Sequence, residues 1–108
     1  MNTELPPPIA AFFKAHNTRE TDDFNALFTS DALVSDEAHE YRGTAIKRWI
    51  DSATAEYKPT ANVTDLAQLG DKIVVTAQVS GTFPGSPVQL RYNFTLENDK
   101  IAALDIRP

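Results

Sequence analysis

Residues 73–96 read IVVTAQVSGTFPGSPVQLRYNFTL, and their period decides the fold class. Ile73, Val75, Ala77, Val79, Gly81 and Phe83 alternate with Val74, Thr76, Gln78, Ser80 and Thr82. That period of two is the mark of a half-buried strand. Pro84-Gly85-Ser86-Pro87 interrupts it with turn-forming residues. Val88, Leu90, Tyr92, Phe94 and Leu96 then alternate with Gln89, Arg91, Asn93, Thr95 and Glu97. With 84–87 as a four-residue loop, Phe83 faces Val88 and Val79 faces Tyr92. Both apolar sets then share one face of a hairpin, as a sheet with one buried side requires.

Downstream, Asn98-Asp99 is a turn and Ile101–Arg107 a last strand. A two-residue turn places Asp105 and Arg107 on the apolar face. A three-residue turn over 98–100 places Leu104 and Ile106 there instead. Burying the two aliphatics wins by on the order of several kcal/mol, because charges are costly to desolvate. The second register is expected, with Asp105 outward. Upstream, Gly70-Asp71 is a turn, and 61–69 is a weakly alternating strand.

Earlier still, the period is helical. Three prolines at 6–8 suit a first helical turn, which needs no N–H there. Ile9, Phe12, Phe13 and His16 fall on one face of a helix over about 7–17. Thr21 is an N-cap type, Asp22 and Asp23 suit a helix start, and Phe24, Leu27 and Phe28 make a stripe. A second, short helix is expected over 21–28, ending at Thr29-Ser30-Asp31. Residues 32–36 make a short strand and Glu37-Ala38-His39-Glu40 a polar loop. Ile46, Trp49, Ile50, Ala53 and Tyr57 recur at helical spacing, so a third helix spans 44–57 and stops at Pro59. The order is helix, helix, short strand, helix, then a four-strand antiparallel meander. That is α+β, with three N-terminal helices on one face of a curved, mainly antiparallel sheet of four to five strands.

The composition narrows the function. With 108 residues the chain suits one domain, spanning 1–108, and can bury roughly two-thirds of its unfolded surface in one core. It has no cysteine, which excludes disulfides, thiolate metal sites and a cysteine nucleophile. Its 15 acids against 10 bases give a net charge of −5, which argues against nucleic acid as a partner. No apolar run approaches the roughly 18 residues of a membrane span. The N-terminus has neither the basic nor the apolar part of a secretion signal, so a cytoplasmic location is expected. The four glycines, at 43, 70, 81 and 85, are scattered and form no phosphate loop. Gly85-Ser86-Pro87 is a hairpin loop, not a nucleophile elbow. His16 and His39 lack a metal-binding spacing, so no metal is expected. The chain carries nothing that performs redox chemistry by itself, and no cofactor is expected.

The element order resembles the nuclear transport factor 2-like superfamily, and within it the SnoaL-like branch of polyketide cyclases and ketosteroid isomerases. The residues that carry the resemblance are Phe28 to Glu37 (FTSDALVSDE), Tyr41-Arg42-Gly43-Thr44-Ala45-Ile46, Trp49, and the hairpin Leu96 to Ile101 (LENDKI). The resemblance implies a cone-shaped fold with an open-ended cavity, and often a homodimer through the outer sheet face. Asp36 matches the strand-end position of the general base in the ketosteroid isomerases. Phe12 stands at the helix-1 tyrosine of their oxyanion hole, and Tyr92 near its protonated aspartate. Phe12 has no donor, so steroid isomerisation is not expected.

Asp36 is thus the expected base. A carboxylate at an apolar mouth is made more basic by desolvation. The competing reading is an acid that caps a turn or pairs with Arg42, which otherwise pairs with Glu37. His39 and Tyr92 are the expected helpers, against a solvent-exposed loop histidine and a core tyrosine. The expected pocket wall is Phe12, His16, Phe28, Val34, Tyr41, Trp49, Tyr57, Phe83, Leu90, Phe94, Leu104 and Ile106, against the plainer reading of a filled core. The expected ligand is a small, largely apolar molecule, and the reaction a cofactor-independent isomerisation, cyclisation or dehydration next to a carbonyl. The alternative is a non-catalytic dimeric ligand-binding or protein-interaction module. Thr76, Gln78, Ser80, Thr82, Gln89, Arg91, Asn93 and Thr95 make an outer face poor in charge, suited to two-fold pairing.

Overall fold

The computed structural model describes residues 5–36 and 38–108. Met1 to Glu4, and Glu37 of the expected polar loop, lie outside the described residues. The elements in chain order are helix α1 (Pro7–Thr18), a single 3-10 turn (Phe24–Leu27), strands β1 (Phe28–Asp36) and β2 (His39–Arg42), helix α2 (Thr44–Tyr57), and strands β3 (Thr60–Leu69), β4 (Lys72–Ser80), β5 (Val88–Glu97) and β6 (Lys100–Arg107). The six strands form one sheet in the order β2-β1-β6-β5-β4-β3. All neighbours are antiparallel except β1 and β6, which are parallel. The fold is α+β with two helices and a mixed six-strand sheet, rather than three helices and four to five strands.

The expected second helix is reduced to that one 3-10 turn. Its intended cap, Thr21, is buried and gives its hydroxyl proton to the Asp51 carboxylate on α2 instead. Phe28, at the end of the expected helical stripe, opens β1 and pairs with Ile101 of β6. Thr29-Ser30-Asp31 therefore lies inside a nine-residue strand. The polar loop after it is a hairpin: Asp36 is paired with His39, and Val34 with Tyr41. Ala38 turns the corner at φ 65°.

The long hairpin keeps its faces but not its expected loop. Val79 pairs with Val88 and Val75 with Tyr92, so the connection runs from 81 to 87. The shift is four residues, an even number, which leaves every side chain on its expected side. Phe83 leaves the strand, and Thr82 bonds the carbonyl of Tyr57 at the end of α2.

The last strand reaches the expected facing by another route. Glu97 pairs with Lys100, which makes the turn the two residues Asn98 and Asp99, both at positive φ as a tight hairpin turn requires. Leu96 pairs with Ile101, and Thr95 with Ala103, so Ala102 is an extra residue in the ladder. This bulge changes the phase by one. Leu104 and Ile106 then lie on the face of Phe94 and Tyr92, and Asp105 points outward with Asn93.

The core lies between the helices and the sheet. Phe12 is its centre, with ring centroids of Phe13, Phe24 and Phe94 between 5.1 and 5.5 Å away. Phe12, Val34 and Phe94 have no exposed surface, and Phe28 very little. These four were expected on the pocket wall. They fill the core instead, because α1 packs its aromatic stripe directly on the middle of the sheet.

Candidate functional site

Away from that centre, the helix-bearing face of the sheet is left partly open. Along the gap stand Asp36 at the end of β1, His39 and Tyr41 on β2, Trp49, Ala53 and Tyr57 on α2, and His16 at the end of α1. Val79, Phe83, Val88, Leu90, Tyr92, Leu104 and Ile106 complete it. The open space measures about 1870 Å³ in all, a volume that also takes in Leu33, Asn93, Thr95 and Ala103, which the strand register puts on the outer face. Val79, Val88 and Ala53 were not expected on the wall. The longer 81–87 connection brings Val79 and Val88 opposite one another there.

Asp36 is half-buried, and its Oδ2 accepts the indole N–H of Trp49 at 3.0 Å. Trp49 is placed for this by α2, and its ring stacks on Tyr41 with centroids 6.0 Å apart. Tyr41 and Asp36 lie on the same face because the β1–β2 hairpin pairs them two positions apart with Val34 and His39. His39 is exposed and directly opposite Asp36, on a strand rather than in a loop. Arg42 pairs with Leu33 on the outer side of the hairpin, which directs it away from the Asp36 face.

Tyr92 is buried, and its phenol is pushed well above its ordinary value. Burial is the larger cause, and the charge of Asp36 adds to it. A negative charge beside a buried phenol opposes its ionisation, so the O–H is retained. The site thus sets a carboxylate close enough to a buried phenol to favour the phenol's protonated form.

His16 is buried at the other end of the groove, and its ring is held below its ordinary value, chiefly by burial and in part by Arg19. Its hydrogen bond to Asn17 opposes that shift. His16 Nδ1 lies 3.0 Å from Asn17 Oδ1. Tyr57 meets Phe83 edge to face, with centroids 5.8 Å apart, at the rim formed by α2 and the 81–87 connection. Among the described residues no group of three or more metal-ligating side chains comes together. No described helix is long and apolar enough to cross a membrane.

The family model of the SnoaL-like domain matches residues 9–104. A crystal structure of a Sinorhizobium meliloti protein, described as a candidate polyketide cyclase, is similar at 39% identity and a TM-score of 0.91, over 95% of each chain. A Catenulispora acidiphila protein with a ketosteroid isomerase-like fold, solved with trimethylamine, is 18% identical with a TM-score of 0.83, over 97% of this chain and 87% of that one. A nuclear transport factor 2-like protein from Cytophaga hutchinsonii is 14% identical with a TM-score of 0.78, over 99% of this chain and 93% of that one. No functionally curated protein matches the sequence. The mixed sheet and its helices are those of the nuclear transport factor 2-like fold, and the chain belongs to the SnoaL-like domain family.

Proposed function

We propose that the groove binds a small, largely apolar carbonyl compound and that Asp36 moves a proton on it. The observation that supports this reading is the pairing of roles at one place. Asp36 is held by the Trp49 N–H at 3.0 Å, and its charge acts on a buried, protonated Tyr92. In the proposed step Asp36 takes a proton from the carbon next to the carbonyl, the C–H electron pair forms the carbon–carbon double bond of the enolate, and the carbonyl π pair moves onto oxygen. Tyr92 donates its O–H to that oxygen. Return of the proton from Asp36 to a different carbon is an isomerisation. Departure of a β-hydroxyl as water, with the proton that Asp36 took, is a dehydration, and attack of the enolate carbon on a second carbonyl, whose oxygen then takes that proton, is a cyclisation. In this reading His39, opposite Asp36 and open to solvent, exchanges protons with it. The likeness to a protein described as a candidate polyketide cyclase points the same way.

The test is solvent deuterium exchange into enolisable cyclic ketones, followed by NMR. Wild-type protein is expected to accelerate exchange. Asp36→Asn should remove at least 100-fold of that acceleration, in the range of general-base contributions, while leaving ketone binding in place. Equal exchange by the two proteins, with binding intact, overturns the base role.

A second reading, a dimeric module, draws on the outer sheet face. No described helix covers it, and it carries apolar side chains that the charge-poor pattern alone did not reveal. Val74 and Ala67 pair across β3 and β4, and Leu33 pairs with Ala103. Leu69, at the edge, is 64% exposed. Sedimentation equilibrium tests it: a dimer in the wild type that Val74→Glu converts to monomer supports this reading, and a wild-type monomer overturns it.

A further inference from the structure

We infer that His16 is a ligand-recognition residue of the groove, presenting the lone pair of Nε2 to a hydroxyl or N–H donor on the bound molecule. The inference rests on the reading of the groove as a ligand site and adds the polar feature its ligand carries.

The argument begins with Asn17. Its side-chain amide is fixed twice by the backbone of one residue on the edge strand β3: Nδ2 donates to the Ala61 carbonyl at 3.0 Å, and Oδ1 accepts the Ala61 N–H at 2.9 Å. A rotated amide would set donor against donor and acceptor against acceptor, so the atom facing His16 is the oxygen. An amide oxygen has no proton to give. The 3.0 Å contact from His16 Nδ1 to Asn17 Oδ1 is therefore an N–H donated by the ring. His16 is 5% exposed, and burial disfavours the charged form of its ring. A neutral ring with its proton on Nδ1 has a bare Nε2.

Nε2 also has somewhere to point. Among the described residues no buried side-chain nitrogen or oxygen lacks a partner, and the ring's one side-chain hydrogen bond is at Nδ1. Nε2 therefore meets open space, and the space that His16 lines is the groove. The ring lies near that of Phe12, with centroids 6.2 Å apart, and Val79 of the groove wall is paired with Ala61, which fixes the Asn17 amide. A lone acceptor on an apolar wall favours a ligand that brings a donor and penalises one that leaves it unsatisfied. The chemical class implied is an enolisable ketone that also carries a hydroxyl, with the carbonyl at the Asp36 end.

Two measurements test this. The first is the ring ¹⁵N spectrum of the wild-type protein near neutral pH. The expected result is the less common neutral tautomer, with Nδ1 protonated and Nε2 bare. An imidazolium or a protonated Nε2 overturns the inference. The second is titration with β-tetralone, its phenolic analogue and the methyl ether of that analogue. The phenol is expected to bind about three- to tenfold tighter than the parent, the range of one net hydrogen bond. The ether, which has no donor, should lose that gain. His16→Phe should abolish the preference, so that phenol, ether and parent bind the variant equally, and retained binding of all three also reports an intact groove. Equal binding of phenol and parent to wild type overturns this inference alone. Failure of all three compounds to bind overturns it together with the groove reading.

Discussion

The indole N–H of Trp49, on the second helix, donates to the carboxylate of Asp36, at the end of the first strand, across 3.0 Å. The contact ties the helix layer to the strand end where the sheet carries an inward acid whose charge acts on an inward phenol. A hydrogen bond to a charged group contributes about 1.5–3 kcal/mol. Trp49→Phe keeps most of the ring and loses the donor. It is expected to lower unfolding free energy by about 1–3 kcal/mol in urea titration. It should also slow ketone exchange, though by less than Asp36→Asn, because the base remains while its position loosens.

The same carboxylate acts on Tyr92. Two causes raise that phenol from 10.0, burial first and the Asp36 charge second. The phenol should remain protonated throughout the neutral range, seen as an unchanged ring-carbon NMR signal. In Asp36→Asn its titration is expected to move down, because the opposing charge is gone. It should still lie above 10.0, because burial is the larger cause. A titration at the ordinary tyrosine value in that variant would mean that the ring is not buried in solution.

His16 makes stability depend on pH in a defined window. Its folded value lies below 6.5, so the unfolded chain takes up the proton first as pH falls. Its contribution to stability is whole above 6.5 and declines as pH drops from there to the folded value, then levels off. The Asp51 carboxylate, lowered first by its bond to Lys47 and then by Thr21, loses its contribution in a separate window below 3.8. Urea midpoints of wild type and His16→Gln, measured across both windows, should diverge in slope in the upper one and run parallel in the lower.

Gly81 is where the 81–87 connection crosses the end of the second helix. A Cβ there would lie 2.5 Å from the Tyr57 carbonyl oxygen and 3.0 Å from the Phe83 ring. That carbonyl also accepts the Thr82 N–H at 2.7 Å, so it is not free to retreat. Gly81→Ala is expected to cost about 1–3 kcal/mol, the usual penalty of overpacking. Thermal unfolding should show the loss, and increased protease cleavage within 81–87 should show that the rim has loosened.

Periodicity was enough for most of the architecture. The first helix runs one residue past its expected end, and the 44–57 helix has its expected limits. The face of every paired residue in the central hairpin is as the alternation implies, since a strand exposes its pattern directly in sequence. Asp36 and Tyr92 were likewise legible as an acid at a strand end and a phenol on an inward face. The sequence could not decide features that depend on a distant partner. The 21–28 stripe reads as a helix, and its reduction to one 3-10 turn with Phe28 already in strand goes with parallel pairing to residues 101–105 at the other end of the chain. The bulge at Ala102 leaves no composition signal, yet it sets which of Leu104 and Asp105 faces the core. The division of the aromatic residues into core and groove wall depends on where the first helix lands on the sheet. The proton position on His16 depends on the pairing of Asn17 with Ala61, 44 residues away. Local period and propensity act over a few residues and are written in order along the chain. Contacts between distant segments are chosen by the packing of the whole, and those contacts decide the chemistry of this groove.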